Sequence, residues 1–238
     1  MFDFRDKVVV VTGAAGNVGR AVVGAFLEAG GTVCSLDHRS GRLVGLFTKD
    51  RGQGYLHIYE NVDLCERKAM MSLGERIVNE VGQIDVLVNT VGSFSMGEKV
   101  HELSPETLDQ MMRDNVTSLL NAKAAFVPSM LETGHGKIVS IGAEAALKGG
   151  AKMGAYAAAK SVVLRLTESM AAELQDNNIQ VNCILPGTID TPENRQAMPD
   201  ADFEKWVTPK QVAETILFLS SSSADGITGV SLPVKGRP

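Results

Sequence analysis

Residues 8–22 read VVVVTGAAGNVGRAV. Four consecutive valines suit a buried parallel strand, which shows a continuous apolar run in place of the alternation of a half-exposed one. Gly13, Gly16 and Gly19 follow directly, with Asn17 and Val18 between the last two, and a helix-length apolar segment runs on to residue 28. Glycines between a strand and a helix let the backbone turn tightly and approach a pyrophosphate, which the exposed N–H groups of the helix start stabilise. A glycine triplet alone also serves plain turn geometry. Its position after a strand and before a helix is what points to a dinucleotide.

Outward from this stretch the same alternation continues. Short runs rich in Val and Ile lie at residues 8–11, 32–36, 86–88, 137–141, 180–185 and 230–234. Helix-length segments separate them at residues 18–28, 67–81, 105–131, 153–174 and 209–221. Strand and helix in alternation predict βαβ units and a parallel sheet covered by helices on both faces, an α/β fold. No repeat, low-complexity block or long linker interrupts the pattern, so residues 1–238 are read as a single domain. Residues 188–208 are the least regular part, and Pro192 and Pro199 are expected to break any helix there. They are read as a substrate flap.

The bulk numbers narrow the classes. The chain has 238 residues, 44% of them hydrophobic, enough to bury a sizeable core. A net charge of −5 without any basic run argues against a nucleic-acid partner. The three cysteines, Cys34, Cys65 and Cys183, lack C-x-x-C spacing, which fits a reducing, cytoplasmic setting better than disulfides or zinc. His57, His101 and His135 are scattered, and no metal site is expected. The N-terminal apolar run is too short for a signal peptide or a membrane span.

Two further features carry chemistry. Asp37 ends the second strand, where a carboxylate can accept hydrogen bonds from ribose hydroxyls and repels a 2′-phosphate, so NAD(H) is expected over NADP(H). Arg39 is the counterweight, because a guanidinium there can pair with a phosphate or simply lie in solvent. Tyr156 and Lys160, in YAAAK, stand one helical turn apart on one face, and the alanines leave room for a flat ligand against it. An ammonium beside a phenol favours the phenolate and lowers its pKa toward neutrality, where it exchanges protons usefully.

Five ordered motifs then carry a resemblance: TGAAGNVG, NTVG at residues 89–92, Asn115 in RDNVTS, YAAAK, and LPG at residues 185–187. Across essentially the whole chain they resemble the short-chain dehydrogenase/reductase superfamily. That resemblance implies a Rossmann-type, doubly wound single domain moving hydride to or from nicotinamide. It implies Tyr156 as general acid/base, Lys160 as its activator and nicotinamide-ribose ligand, and Asn115 as holder of a relay water. Asp63 and Leu64 would meet the adenine, Asn89 and Gly92 the adenosine wall, and Pro186, Gly187, Ile189 and Thr191 the nicotinamide. Two departures stand out. Asn17 occupies the place of the middle glycine, and Ala143 stands thirteen residues before Tyr156, where the family carries a catalytic serine.

The alanine leaves three answers open. Ser140 substitutes from the strand, the protein binds dinucleotide without turnover, or the substrate does not concentrate charge on one oxygen. The stretches at residues 141–160 and 190–206 are similar to dihydropteridine reductase, a family that also has alanine there. That similarity implies a dihydropterin-like substrate; a carbonyl or 3-oxoacyl reductase tolerating Ala143 is the alternative. Substrate contacts are expected from Ala143, from Met153 on the Tyr156 side of its helix, and from Met198, Phe203 and Trp206 in the flap. The flap's short helix is expected to be capped by Asp200. Glu144 faces either substrate or solvent. The long helices at residues 105–131 and 153–174 resemble those that pair subunits in the family, implying a homodimer or homotetramer.

Overall fold

The computed structural model describes residues 2–46 and 54–237. Seven parallel strands form one sheet: β1 (Val8–Thr12), β2 (Thr32–Leu36), β3 (Tyr55–Tyr59), β4 (Val86–Asn89), β5 (Gly136–Ile141), β6 (Ile179–Pro186) and β7 (Ser231–Val234). Their order is β3-β2-β1-β4-β5-β6-β7, so the chain reverses its direction of growth between β1 and β4. That reversal opens a crevice at the carboxyl ends of the strands, where doubly wound sheets bind ligands.

The valine run explains the layering. Val9 and Val11 point into one core, with Val22, Val23 and Phe26 of α1 (Asn17–Glu28) and Val212 and Ile216 of α8 (Pro209–Ser220). Val10 points the other way, into a core with Met70 and Ile77 of α3 (Arg67–Val81) and Phe126 of α5 (Ser118–Thr133). Both pleat faces are apolar because both are covered. α6 (Gly154–Leu174) lies over β6 and packs against the helix bearing Met111. This is the α/β architecture, with helices on both faces, that the alternation predicts.

Five local readings need correction. β3, YLHIY, is an edge strand paired only with β2, and its outward Tyr55 and half-buried His57 break the apolar run that marks the other strands. A five-residue helix, α2 (Arg42–Leu46), also escapes the pattern. The helix expected over 105–131 is two helices, α4 (Pro105–Met112) and α5, joined by a π-helical turn at Arg113–Thr117. Such wide turns inside helices occur mostly at functional sites. Pro192 breaks nothing: it begins α7 (Pro192–Ala197), where its missing N–H costs no hydrogen bond, and Thr191 Oγ1 accepts from the Asn194 N–H as cap. The 3₁₀ turn at Phe203–Lys205 is capped by Asp202, which accepts from the Glu204 N–H, and not by Asp200.

Among the described residues no helix is long and apolar enough to cross a membrane. The helical layer beside β6 does hold two buried amines. Lys123 of α5 is 2% exposed and its Nζ has no hydrogen-bond partner among the described residues. Lys160 of α6 is 5% exposed and donates to the Ile141 carbonyl at 2.9 Å. Desolvation pushes each down to about 8 from the ordinary 10.5. Between those values the unfolded chain binds more protons than the native one, so these lysines make stability rise with pH. Buried Cys34 and Cys183, pushed up to about 12 and about 11 from 9.0, oppose the rise once unfolded thiols begin to ionise near pH 9. Urea unfolding is therefore expected to shift to higher midpoint between pH 7.5 and 9. Lys123→Met should raise the midpoint at pH 7.5 and remove about half of that rise; a midpoint flat with pH in both proteins would contradict the buried charges.

Candidate active site

The glycine turn sits at the crevice because α1 approaches β1 closely. A Cβ on Gly19 would stand 2.1 Å from the Gly13 carbonyl oxygen, so only glycine allows the first turn of α1 to rest on the loop. Gly16 is the N-cap of α1 and offers no capping side chain. The exposed N–H groups of this helix start stay unclaimed by the chain's own cap, which is the arrangement a phosphate needs.

Asp37 follows β2 and is 4% exposed. It accepts from the Ala15 N–H at 3.0 Å and from the Arg39 N–H at 3.1 Å. It therefore clamps the glycine loop as well as facing the crevice. An ionised carboxylate has about four lone-pair sites, so two remain for ribose hydroxyls. Arg39 reaches back to His38 Nε2 at 3.0 Å. A cavity of about 660 Å³ continues from this point, walled by His38, Arg39, Asp63, Leu64, Gly92 and Arg113. Its volume and its mixture of polar and apolar walls suit an adenosine. Asp63 accepts from the Cys65 N–H at 2.8 Å and pairs with Arg113 at 3.3 Å across the rim. Asn89 ends β4 beneath it, and its Nδ2 donates to Ser140 Oγ at 3.4 Å. Ser140 is wholly buried.

Three elements converge at Gly92. A Cβ there would lie 2.6 Å from Asn115 Oδ1 and 3.0 Å from Lys160 Nζ. The π turn directs Asn115 inward, 1% exposed, and its Nδ2 donates to the Met111 carbonyl at 2.9 Å and the Ser93 carbonyl at 3.2 Å. Those two bonds fix the amide so that Oδ1 faces Gly92. That oxygen is buried with no partner among the described residues. A buried acceptor beside a lysine that makes one bond of its possible three is a place for a water or a ligand hydroxyl.

Tyr156 and Lys160 share one face of α6, and Lys160 Nζ lies 5.9 Å from the centre of the Tyr156 ring. The phenol is not held near neutrality, as expected from the ammonium. Burial pushes it up to about 12. The ammonium is spent on Ile141 and sits a full turn away, so desolvation of a phenolate wins. In the chain by itself Tyr156 is a firmly protonated group that can donate, not a ready base.

An aromatic side chain lies against the Tyr156 ring. Phe94 meets the Tyr156 ring edge-on, centroids 4.9 Å apart, and is itself 60% exposed. Its loop is pinned over the start of α6 by a hydrogen bond from the Gly97 N–H to the Lys152 carbonyl. Ala143 is buried and brings only a methyl group. Met153 caps α6, half-buried. Glu144 turns toward Lys235, 3.2 Å away.

The flap starts from Pro186 and Gly187, whose N–H donates to the Val234 carbonyl, and is closed at its base by a bridge between Ile189 and Val207. Within it, Phe203 packs against Trp206 at 4.8 Å with the Arg195 guanidinium 4.7 Å over the Phe203 ring. These two rings hold one another, and Met198 stays exposed. Asn17 reaches the flap through Glu193. Phe94 and Glu193 went unnoticed in the sequence. Neither sits in a periodic segment, and only their spatial neighbours mark them.

The chain is similar to known proteins along nearly its whole length. Over 239 residues the chain is 29% identical to the 3-oxoacyl-(acyl-carrier-protein) reductase FabG of Thermotoga maritima, covering 97% of this chain and 96% of that one. Its fold superposes on NAD+-bound xylitol dehydrogenase with a TM-score of 0.88 at 24% identity, covering 98% and 99% of the two chains. It superposes equally on a gluconate 5-dehydrogenase from Burkholderia cenocepacia J2315 in complex with NADP and tartrate, at 0.89, 24% identity, 99% and 96% coverage. Residues 7–202 match the family model described as short chain dehydrogenase. Glycine turn, crevice, tyrosine and lysine thus lie within the matched span, and the chain belongs to the short chain dehydrogenase family of oxidoreductases.

Proposed function

We propose that the protein is an NADH-preferring reductase in which Tyr156 alone protonates a substrate whose developing charge spreads over a conjugated ring, of the dihydropterin type. The observation that carries this reading is the missing second donor. Ala143 has no hydroxyl, Ser140 is bound to Asn89 inside the sheet, and Ser161 donates to the carbonyls of Ala146 and Ala157. A ketone gathers charge on one oxygen, and removing one preorganised donor from that oxygen typically costs about 10²–10³ in rate. A conjugated ring asks less of a second donor. The stretches similar to dihydropteridine reductase support the same class.

A bound nicotinamide dinucleotide supplies the hydride. The chain's part is to hold and to protonate. The loop of Gly13, Gly16 and Gly19 takes the diphosphate. Asp37 takes the adenosine ribose and disfavours a 2′-phosphate, while Asp63, Leu64, Asn89 and Gly92 frame the adenosine. Ile189 and Thr191 meet the carboxamide, and the Thr191 hydroxyl also caps α7 by accepting from the Asn194 N–H. Tyr156 donates its proton to substrate from a protonated resting state. Lys160 and Asn115 restore it through a water seated beside Gly92. The exposed apolar residues of α4 and α5, Leu108, Leu120 and Leu131, support the reading that these helices pair two copies of the chain.

The carbonyl reductase reading stands second, favoured by the similarity to a 3-oxoacyl reductase. A panel of quinonoid dihydropterins and ketones, each with NADH and NADPH, separates the two. Turnover of the pterins with NADH is expected, and turnover confined to ketones would defeat the first reading. Ala143→Ser should raise ketone turnover at least about tenfold with little change for pterins. Phe94→Ala should raise KM for planar substrates about two- to tenfold, the value of one aromatic contact, and leave small aliphatic ketones unaffected. Equal loss on both classes would show that Phe94 only supports the fold around Tyr156.

A further inference from the structure

Asn17 is the first residue of α1, and its Nδ2 donates to Glu193 Oε2 at 2.7 Å, joining two residues 176 positions apart. Its Oδ1 accepts from Arg20 Nη2 at 2.5 Å, which orients the amide toward the flap. Glycine at this place, as the family resemblance leads one to expect, cannot make either bond. Glu193 lies in the first turn of α7, and its carboxylate is held below the usual range by its own backbone N–H and by Asn17, with smaller help from Thr191 and the Arg20 charge. The flap's base is fixed by the bridge between Ile189 and Val207, and the segment carrying Glu193 lies between those anchors. A flap carboxylate is therefore tethered at the start of a helix whose cap leaves its N–H groups unclaimed.

We infer that Glu193 is an internal anion latched by Asn17 over the phosphate end of α1, and that an incoming diphosphate displaces it and frees the flap. The inference rests on the dinucleotide reading above. The positive end of α1 attracts a single negative group, and two anions in the same place repel. Dinucleotide binding must then overcome the latch, so the acid weakens binding of the free cofactor and couples binding to release of α7. Glu193 is a positioning residue here, acting through the flap. The departure of Asn17 from glycine thereby acquires a task.

The test uses the full chain with NADH and with ADP-ribose, by calorimetry, at low and at 0.5 M salt. Glu193→Gln is expected to lower Kd for both ligands about two- to fivefold at low salt, with the gain fading at high salt as the charge is screened. Amide hydrogen exchange in residues 192–206 of the ligand-free protein should quicken in Asn17→Ala and in Glu193→Gln. Unchanged or weaker binding by Glu193→Gln would overturn the displacement, and unchanged exchange in Asn17→Ala would overturn the latch. Failure of the wild-type chain to bind either ligand would remove the dinucleotide reading and the displacement with it, while the exchange measurement still decides the latch.

Discussion

The backbone at Gly92 passes so close to Asn115 Oδ1 and Lys160 Nζ that a single methyl group would part them. Three separate pieces of chain meet there: the end of β4, the π turn between α4 and α5, and the second turn of α6. None of them is held by this point alone. β4 is fixed by its neighbours β1 and β5, the π turn by Asn115's bonds to two carbonyls, and α6 by its packing on β6. The fold thus brings a buried amide oxygen and a buried amine together without asking either to bind the other. Two polar groups left in that condition cost stability until something hydrogen-bonds to both. The cost is the usual mark of a site built for a ligand or a water.

The same burial decides the acid-base character of the tyrosine. Sequence reasoning made Lys160 the group that lowers the Tyr156 pKa, since spacing alone says they are close. Spacing does not say how dry the pair is. Lys160 loses water on nearly every side, keeps one carbonyl, and falls to about 8, while the phenol rises to about 12. A protonated phenol beside a weakly held ammonium suits a donor in reduction. Abstraction of a proton by Tyr156 would need a further positive charge at the site. The resting protonation of the phenol follows from desolvation, which no motif encodes.

Much of the architecture was legible because local and long-range rules agreed. β2 and α3 begin and end where apolar periodicity places them, and β1's four valines serve two cores at once. Legibility failed where tertiary contacts override the local signal. β3 survives as a strand on one partner only, with an exposed tyrosine. The π turn follows from inward placement of Asn115, which no periodicity shows. Pro192 reads as a breaker until Thr191 caps the helix it starts. Of the residues expected at the site, Gly13, Asp63, Leu64 and Gly92 line one cavity, and Gly92 adjoins Asn115 and Lys160. What could not be read were the flap's internal pairings, since Phe203, Trp206 and Arg195 satisfy each other, and Phe94, whose role depends on a loop pinned from residue 152.

Asp37 joins the fold to cofactor choice. Were it only a ribose ligand, a change at this position would alter affinity and nothing else. Its carboxylate also receives the Ala15 N–H, so the group proposed to disfavour a 2′-phosphate also holds the loop in which a diphosphate would lie. Removing it to admit a phosphate would loosen that loop. Arg39 stands two residues away and offers a guanidinium, but its backbone N–H is tied to the same acid. A shift toward a phosphorylated cofactor therefore needs a replacement that keeps an acceptor for Ala15 while giving up charge, as asparagine does. On the proposed reading, cofactor preference would be constrained by backbone geometry as much as by electrostatics, because both are vested in one side chain.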